Sequence, residues 1–532
     1  MPMPRETLTT GIQEKRSQMA MTFSKTISSI EPMEDKNLYC HDLPSKPLAD
    51  MGKVLVTGAS GYIGGRLVPE LMARGYKVRV MVRAPSPIYQ ELWPKVEVVT
   101  ADALEFSHIR SALKDIDTAY YLIHSLLLGR EEFVEADIQA ARNFRLAAEE
   151  NQIKRIIYLG GLGDTQTKLS THLHSRILVA EELKSGKVPV TTLRAAIIIG
   201  SGSASYEIIQ SLVRRLPIIF IPRWAMTKCQ PIAIRDVIRY LVGTLEIPET
   251  SGGSFDIGGA DILSYFEMLK IRAELLNKRR YFVPFLSYLP LYSYLGGLIT
   301  PVPAPITRSL MEGLKNEVVC QNNLIQDYLP FKPLTYKEAI IRAMSREEQD
   351  TIYTRWSDAY PPAHQLALKL HELAEEPQFT STYSLVTQKE ASALFNCFCR
   401  VGGKEGWFSN NWLWRLRGII DKMILGVGSS RGRRSQTTLK INDVIDFWRV
   451  EDLQKEKRLL LRAEMKMPGK AWLEFQIQDV NYQRKLSISA YFHTHALGGK
   501  LYWYFFLPFH RFIFNGLIKQ IEKRSVSSFP AE

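Results

Sequence analysis

From Lys53 onward, short apolar runs that suit β-strands alternate with stretches of helical periodicity. The runs are KVLVTGAS, YKVRVMVR, KVEVVTAD, TAYYLIHS, RIIYLGG and VTTLRAAIII. A chain that alternates strand and helix in this way places its strands side by side in a parallel sheet, with helices on both faces. The sequence therefore predicts an α/β domain with a doubly wound parallel sheet.

A glycine-rich turn follows the first strand and opens the next helix. VTGASGYIGGRL places Gly58, Gly61 and Gly64 in a G-x-x-G-x-x-G spacing. In such a loop the first glycine makes the tight turn, the second lets the main chain approach a pyrophosphate, and the third permits close helix packing. The alternative is that the glycines only form turns. The motif predicts a dinucleotide site, and its candidate binding residues are Thr57, Gly58, Ser60, Gly61, Tyr62, Ile63 and Gly64.

The end of the second strand bears on the choice of dinucleotide. Arg83 stands where an NAD-binding protein would place an acidic residue against the ribose 2′-hydroxyl. A carboxylate there would repel a 2′-phosphate, whereas an arginine attracts it. We therefore expect NADP(H) to be favoured over NAD(H), the alternative being that Arg83 is an ordinary surface residue.

The net charge of the 532-residue chain is +13, and most of the surplus lies after residue 400. Such a surplus indicates affinity for phosphate-bearing ligands, anionic lipid or nucleic acid, or else a solvated basic face. Arg431, Arg433 and Arg434 are interleaved with aromatic residues, as in proteins that stack single-stranded bases. Because no RNP signature, helix-turn-helix or zinc knuckle accompanies them, we expect no nucleic-acid partner.

The remaining boundaries follow from composition. Residues 1–50 are polar and lack apolar periodicity, so we expect a disordered tail, followed by the α/β domain over 51–345 and a charged helical connector over 346–390. Five cysteines without a repeated CxxC pair, together with the lack of a secretory h-region, predict an intracellular, cytoplasmic protein. Cys397-x-Cys399 alone is too little for a zinc site, so we expect no metal.

An uncharged segment covers residues 281–307. Its length would suffice to cross a membrane, but five prolines interrupt it, and each removes a helix donor that lipid cannot replace. We expect a buried or substrate-facing lid, with peripheral membrane contact as the alternative.

A second domain is predicted over 391–525. AWLEFQIQDV and LSISAYF alternate apolar and polar residues, which is typical of half-buried antiparallel strands. The segment LPFHRFIFNGLIKQIEK predicts an amphipathic helix that begins near Pro508. Its apolar residues recur at spacings of four, at Phe509, Ile513, Leu517 and Ile521. This order predicts an α+β domain with a long C-terminal helix, whose aromatic residues either line an apolar ligand site or form the core.

The N-terminal motifs resemble the atypical short-chain dehydrogenase/reductases near the NmrA-like proteins, and also the Rossmann-fold accessory subunit of respiratory complex I. The likeness covers roughly residues 52–345 and rests on the glycine loop, Arg83, Asp102, QPIAIRDV and FDIGGADILSY. It implies an NAD(P)-binding Rossmann fold in which Asp102 lies by the adenine and the end of the fourth strand, up to Ser125, flanks the cofactor.

The C-terminal half resembles the second domain of a two-domain form of this family, in which the reductase-like half is fused to an uncharacterised domain. The blocks that carry this likeness are VGGKEGWF, LWRLRGIIDK, RGRR, DFWRVE, AEMKMPGKAWLEF and YWYFFLPFHRFIF.

The resemblance also identifies where catalytic residues would stand. The family's Tyr-x-x-x-Lys is replaced by His172-x-x-x-Arg176, and Gly160 and Gly161 occupy the region of the usual serine. His172 could act as general acid because an unperturbed histidine has a pKa of about 6.5. Arg176 could hold the ribose or a phosphate, although it cannot relay protons. The alternative is that both belong to a polar helix face near the cofactor. Candidate hydroxyl partners are Thr57, Ser125 and Tyr158.

Three functions from different classes remain open. The first is an NADPH-dependent reductase that acts on an apolar carbonyl compound or a lipid. The second is an NADP(H)-binding sensor or assembly factor without turnover, and the third is a lipid-surface carrier that uses residues 281–307. The sequence selects neither the substrate nor the oligomeric state.

Overall fold

The structure is a computed structural model. It describes residues 38–86, 88–124, 132–163, 169–285, 289–348, 354–359, 369–373, 375–429, 431, 433–435, 438–480 and 482–525.

The N-terminal half contains the strands β1 (Lys53–Thr57), β2 (Val78–Val82), β3 (Glu97–Thr100), β4 (Ile116–Tyr121), β5 (Arg155–Gly161), β6 (Val190–Ala195), β7 (Ile198–Ile199), β8 (Ile218–Pro222), β9 (Lys228–Cys229), β10 (Ile232–Ala233), β11 (Ser254–Ile257), β12 (Leu263–Ser264) and β13 (Tyr281–Phe285). Its helices are α1 (Gly64–Ala73), α2 (Ile88–Leu92), α3 (Phe106–Ala112), α4 (Glu132–Glu150), α5 (Thr171–Lys184), α6 (Ala204–Arg215), α7 (Ile234–Glu246), α8 (Tyr265–Leu275), α9 (Leu289–Ile299), α10 (Ala304–Gly313), α11 (Leu324–Tyr328) and α12 (Tyr336–Glu348).

Seven of these strands form one parallel sheet in the order β3-β2-β1-β4-β5-β6-β11. The six apolar runs of the sequence supply β1 to β6, so the predicted doubly wound parallel sheet is confirmed. The strand order reverses between β1 and β4. In an open sheet of this kind, ligands bind in the crevice outside the carboxyl ends of the strands at such a reversal.

Strand β1 shows how the core is divided between the two faces of the sheet. Val54 and Val56 point into one buried cluster, which also contains Leu241 of α7. Leu55, between them, points into the opposite cluster with Phe144 of α4. Because successive side chains of a strand alternate faces, a fully apolar strand needs helices on both sides.

The segment before β1 is more ordered than its composition suggests. The prediction of a disordered tail over 1–50 is wrong for residues 38–50, and residues 1–37 lie outside the described part of the chain. Tyr39 and Cys40 are buried, and their backbone N–H groups donate to the carboxylate of Glu70 on α1. These two hydrogen bonds to the buried Glu70 therefore fix residues 38–50 in place, although the sequence there lacks apolar periodicity.

The C-terminal half contains the strands β14 (Phe379–Thr387), β15 (Val444–Ile445), β16 (Trp448–Gln454), β17 (Arg458–Ala463), β18 (Lys470–Val480) and β19 (Gln483–His493). Its helices are α13 (Ala391–Phe398), α14 (Asn411–Met423) and α15 (Leu497–Arg524). The strands form a six-stranded antiparallel sheet in the order β14-β19-β18-β17-β16-β15. Trp503, Leu517 and Ile521 of α15 belong to the buried cluster beneath it, so the predicted α+β domain with a long C-terminal helix is confirmed.

Two details of this domain differ from the sequence prediction. Strand β14 pairs with β19 along its whole length, so the sheet begins before the predicted boundary at 391. Pro508 lies inside α15 rather than at its start, and Phe509 is exposed instead of packed inward. Proline costs an interior helix one hydrogen bond, and a 28-residue helix that packs on a sheet tolerates that loss.

Within the predicted helical connector over 346–390, the segments 354–359 and 369–373 contain short 3₁₀ turns, while 346–348 end α12 and 379–387 form β14. These turns span Trp356–Ala359 and Leu370–Glu372.

Among the described residues after 400, five tryptophans and four arginines are buried. Of the six tryptophans after residue 400, only Trp412 is exposed, with 63% of its surface open to solvent. Arg431 and Arg449 are buried against the Glu464 carboxylate, with Arg431 Nη1 2.6 Å from Oε2. Burial alone would raise the pKa of Glu464, but the two guanidinium groups lower it to about 2. Part of the basic surplus is therefore internal structure rather than a solvated face.

The uncharged segment forms β13, α9 and the start of α10, with β13 paired to β8. Tyr281, Val283 and Phe285 of β13 are exposed. Among the helices of the described residues, none combines the length and the apolar character needed to cross a membrane.

Candidate functional site

The glycine loop lies between β1 and α1, at the strand-order reversal of the sheet. Gly58 has a φ of +61°, and a Cβ there would lie 2.7 Å from the carbonyl oxygen of Leu122. A Cβ on Gly64 would lie 2.4 Å from the carbonyl oxygen of Gly58, so a side chain cannot be accommodated. The loop closes on itself through a 2.9 Å hydrogen bond from the Gly61 N–H to the same oxygen. Both outer glycines are thus required by the backbone path.

The start of α1 suits an anion. Ile63 precedes the helix, and no side chain caps its first turn. The N–H groups of Gly65 and Arg66 donate to backbone carbonyls of the loop, and the positive end of the helix dipole favours negative charge at this position. A Cβ on Gly61 would meet only the Gly58 carbonyl oxygen, at 3.1 Å, so the surface of the loop is otherwise open at that residue.

The other predicted loop residues have distinct roles. Thr57 is fully buried, and its Oγ1 donates to the Tyr120 carbonyl at 2.9 Å while accepting from the Leu122 N–H at 3.0 Å. It therefore ties β1 to β4. Ser60 forms a side-chain hydrogen bond with Tyr89, and the Tyr62 ring lies 4.8 Å from the Arg66 guanidinium.

Arg83 and Asp102 stand side by side beyond the carboxyl ends of β2 and β3. The two strands are paired from Arg79 with Glu97 to Val82 with Thr100, which brings the residues that follow them together. Arg83 is exposed, and its charge interacts with that of Asp102. Because β2 lies next to β1 in the sheet, Arg83 follows the strand adjacent to the one that leads into the glycine loop.

Arg176 is held by a buried ion pair. Its Nη2 lies 2.7 Å from Oδ2 of Asp137 on α4, and its Nη1 lies 3.4 Å from the Ile123 carbonyl oxygen. The hydroxyl of Ser175 donates to the same Asp137 oxygen at 3.0 Å. These contacts fix the guanidinium in one place, so Arg176 contributes a positioned charge rather than a mobile ligand.

His172 lies in the first turn of α5, which begins after the Ser170 cap. Burial lowers the pKa of His172 to about 3, and the nearby charges of Arg176 and His124 add to the effect. Desolvation, and then the charge of Arg176, also lower the pKa of His124 to about 4. Both rings are therefore neutral at neutral pH. The pKa of about 6.5 of an unperturbed histidine therefore does not apply to His172, because desolvation disfavours the charged ring.

The region of the usual serine is filled. A Cβ on Gly161 would lie 3.1 Å from the Leu173 side chain, and one on Gly160 would lie 2.9 Å from the Tyr158 ring. The Tyr158 hydroxyl is buried and donates to the Arg176 carbonyl oxygen at 3.0 Å. Tyr158 and Thr57 are thus engaged in the fold, and Ser125 lies outside the described residues.

Sequence reasoning missed Asp137, whose carboxylate forms the buried ion pair with Arg176. Within ADIQAARNF, Asp137 lies three, four and seven positions before Ala140, Ala141 and Phe144, which is the spacing of one face of a packed helix. An acid on a buried helical face requires a partner, and that is the signal that could have revealed it.

The second domain reaches the glycine loop through the segment 354–359. The hydroxyl of Thr354 donates to the Tyr62 carbonyl at 2.9 Å and accepts from Arg66 Nε at 2.9 Å. The Trp356 N–H donates to the Gly202 carbonyl oxygen at 2.9 Å. The loop that would hold the dinucleotide is therefore in direct contact with the connection to the C-terminal half.

Two cavities lie away from this loop. One of about 150 Å³ is lined by Gln230, Asp256 and Gly259. Another, of about 430 Å³, lies between the two halves and is lined by Arg215, Trp414 and other residues. Neither lining includes the glycine loop or His172. We place the candidate site at the loop because the strand-order reversal and the uncapped helix are there.

Comparison with known proteins agrees with this division of the chain. Residues 58–206 match an NAD(P)H-binding family, and residues 373–517 match a family described as a protein of unknown function, DUF2867. The chain therefore carries an NAD(P)H-binding Rossmann domain joined to a DUF2867 domain. This confirms the predicted resemblance to NAD(P)H-binding proteins and the predicted fusion.

Curated relatives match only a short part of the chain. A 3-beta-hydroxysteroid dehydrogenase of Mycolicibacterium neoaurum is 31% identical over 118 residues, which cover 20% of this chain and 32% of that protein. A cinnamoyl-CoA reductase 1 of Petunia hybrida is 31% identical over 117 residues, covering 21% and 35%. The chain thus spans about a third of the length of the curated relatives it matches.

Among solved structures, a nucleoside-diphosphate-sugar epimerase from Staphylococcus aureus aligns with a TM-score of 0.45 and 16% identity. The alignment covers 55% of this chain and 99% of that one.

Proposed function

Given an NAD(P)H-binding domain joined to a DUF2867 domain, we propose that this protein is an NADPH-dependent oxidoreductase of the short-chain dehydrogenase/reductase superfamily. Its substrate class is an apolar carbonyl compound or a lipid-like molecule. The observation that carries the proposal is the glycine loop at the strand-order reversal, with Arg83 beside it. The loop would receive the pyrophosphate and Arg83 the 2′-phosphate, which is the basis for preferring NADP(H) over NAD(H).

The bound dinucleotide would supply the hydride, and the chain would supply orientation and charge. A neutral His172 can still direct a ring N–H at a carbonyl oxygen, as neutral imidazoles do in other enzymes. Arg176, fixed by Asp137, places a positive charge nearby that favours negative charge developing on that oxygen. In this role Arg176 needs no proton transfer, which its high pKa would forbid.

An apolar substrate is supported by what surrounds helix α5. The Ser170 N–H at its start donates to Asn316 Oδ1 at 3.1 Å, so the stretch just after α10 packs beside His172. That stretch follows α10, whose first residues are the last of the uncharged segment 281–307 predicted as a lid. The names of the two curated relatives refer to a steroid and to a cinnamoyl thioester, which belong to the same apolar class.

The test has a binding arm and a turnover arm. NADPH and NADH are titrated into the full-length protein, and we expect NADPH to bind about ten- to a hundredfold more tightly. Bound NADPH is then mixed with a panel of apolar carbonyl compounds, and its oxidation is followed in a single turnover. Equal affinities would remove the NADP(H) preference. Tight binding with no oxidation across the panel would overturn the catalytic role.

A non-catalytic NADP(H) sensor or assembly factor is the second candidate. The contact of Thr354 with the carbonyl of Tyr62 favours it, because occupation of the loop could be transmitted to the DUF2867 domain. The missing serine hydroxyl and the low pKa of His172 also favour a protein without turnover. Protection of the segment 354–359 from hydrogen exchange by NADPH, without any turnover, is the result this candidate predicts.

A lipid-surface carrier is the third candidate, and it rests on the exposed apolar residues Tyr281, Val283 and Phe285 of β13. Charged substitutions on β13 would abolish vesicle binding if this strand made the membrane contact.

A further inference from the structure

Helix α14 leaves its apolar stripe exposed to solvent, and Ile419 of the stripe also borders the larger cavity between the two halves. The residues of the stripe recur at spacings of three and four and are all exposed, with 45% to 63% of their surface open to solvent: Trp412, Leu416, Ile419, Ile420 and Met423. A surface helix ordinarily buries such a stripe against the core. Ile424 and Leu425 extend the exposed run beyond the helix.

The opposite side of α14 is anchored by buried polar groups. Asp421 accepts hydrogen bonds from the Gly428 N–H at 2.7 Å and the Lys466 N–H at 2.6 Å. The Lys422 ammonium donates to the carbonyl oxygens of Leu298 and Thr300, at 2.8 and 2.7 Å. Rotating the helix to bury its stripe would break these bonds and leave the side chains of Asp421 and Lys422 without hydrogen-bond partners. The outward orientation is therefore built into the fold.

The first half of α15 presents a second set of exposed apolar residues. They are Leu497, Leu501, Tyr504, Phe505, Leu507, Phe509 and Phe512. We call the exposed apolar residues of 412–425 and 497–512 the apolar face.

The loop 464–468 touches both helices. Arg417 Nη2 donates to the Lys466 carbonyl at 2.8 Å, and the Thr494 hydroxyl, just before α15, donates to the Pro468 carbonyl at 2.8 Å. At the other end, a Cβ on Gly516 would lie 2.5 Å from Ser409 Oγ, just before α14. The loop 464–468 and Ser409 thus link the two helices.

On the segments 412–425 and 497–512 and on the loop 464–468, the exposed charged residues are all positive. Arg415, Lys500 and Arg511 lie on the two helices, and Lys466 lies on the loop between them, all exposed. The acid within 412–425 and 497–512 is Asp421, which is buried and bonded as described. Aromatic and aliphatic residues bordered by cations are typical of helices that lie in the interface of anionic membranes.

We infer that the apolar face docks on the surface of an anionic lipid membrane, with α14 and the first half of α15 lying in the plane of the interface. Tryptophan, tyrosine and phenylalanine favour that depth, and the cations meet lipid phosphates there. A symmetric contact between two copies would instead place the same cations against each other. This docking goes beyond the proposed function, because it belongs to the DUF2867 domain and does not depend on NADPH oxidation.

Co-sedimentation with lipid vesicles tests the inference. The full-length protein is mixed with vesicles of phosphatidylcholine alone, or with about a third of phosphatidylglycerol added. The variants are the double substitution Ile419→Glu with Met423→Glu, and Phe505→Glu. Tyr482→Glu is the matched control, because Tyr482 is fully exposed in the distant β18–β19 turn. All four side chains are exposed, so the substitutions should leave the packing of the core unchanged.

We expect binding to the anionic vesicles that falls at least about tenfold in both apolar-face variants, stays unchanged in Tyr482→Glu, and weakens with added salt. Fluorescence of Trp412 should shift to the blue with anionic vesicles, and the shift should vanish in Trp412→Phe. The inference is overturned if the wild type stays in the supernatant, or if every variant binds like the wild type. It is also overturned if sedimentation equilibrium shows a dimer that the Ile419→Glu and Met423→Glu changes dissociate.

Discussion

The glycine loop and the start of helix α5 lie at the same edge of one sheet, yet they relate to their sequences in opposite ways. In the loop, Gly58 and Gly64 are required because a Cβ would collide with backbone atoms. At α5, His172 and Arg176 fit the backbone without difficulty, and their chemistry is set by what surrounds them. Asp137 fixes the arginine, and burial removes the proton from the histidine.

The difference separates two kinds of functional signal. A backbone requirement is local, so it is visible as residue type and spacing. A side chain's charge state depends on groups far away in sequence, so its residue type alone is a poor guide. The following four variants test this contrast, from the largest expected effect to the smallest.

Gly61→Val should abolish dinucleotide binding and leave the fold intact. A branched side chain would occupy the space that the pyrophosphate needs, while its nearest neighbour is a single carbonyl oxygen at 3.1 Å. Isothermal titration with NADPH measures the loss, and thermal unfolding should shift by less than about 4 °C. Gly498→Val, at a glycine with open space around it, is the control. Unchanged affinity in Gly61→Val would mean that the glycines only form turns.

Asp137→Ala should destabilise the protein by about 3 to 5 kcal/mol, because it leaves a buried guanidinium without its carboxylate. The free energy of unfolding in urea is the measurement. Glu150→Ala removes the partner of Arg110 in a pair that is mostly exposed, and it should cost less than about 1 kcal/mol. Similar losses in both variants would show that Arg176 does not depend on Asp137.

Arg83→Ala should weaken NADPH binding about ten- to a hundredfold and leave NADH binding nearly unchanged. The lost interaction is a charge-assisted hydrogen bond that only the 2′-phosphate can accept. Arg110→Ala, at an exposed arginine on α3, controls for the loss of one positive charge. If Arg83→Ala weakens the binding of NADPH and of NADH equally, Arg83 does not contact the 2′-phosphate.

His172→Phe should alter the pH dependence of stability rather than create or abolish an acid catalyst. Burial lowers the pKa of His172 to about 3, from 6.5 when unfolded. The unfolded state therefore binds the proton more tightly, and the stability that the neutral ring contributes is lost as pH falls below 6.5. Between pH 7 and 5 the loss is at most about 2 kcal/mol.

Urea unfolding at the two pH values should show that part of this loss disappears in His172→Phe but not in His174→Phe, an exposed neighbour on the same helix. The same pKa predicts that hydride transfer, where it occurs, does not titrate near pH 6.5. A rate that falls above pH 6.5 and collapses in His172→Phe would instead make His172 the acid of a reductase.

The sequence alone determined the features that depend on periodicity and backbone geometry. The six apolar runs predicted β1 to β6, and the glycine spacing predicted the turn at Gly58 and the close packing at Gly64. Alternating polarity predicted β18 and β19 in the second domain. These features are readable because steric exclusion and burial act within a few residues of the chain.

Only the tertiary structure decided where charges and apolar stripes ended up. It packed residues 38–50 against Glu70, paired Arg176 with Asp137, and carried α15 through Pro508. It also turned the stripe of α14 outward, although a 3.6-residue period predicts only that a helix has an apolar side. The direction of the apolar side depends on two sets of hydrogen bonds. Carbonyl groups accept from the Lys422 side chain, and backbone N–H groups donate to Asp421. Those partners come from other parts of the chain, so their effect exists only once the chain has folded.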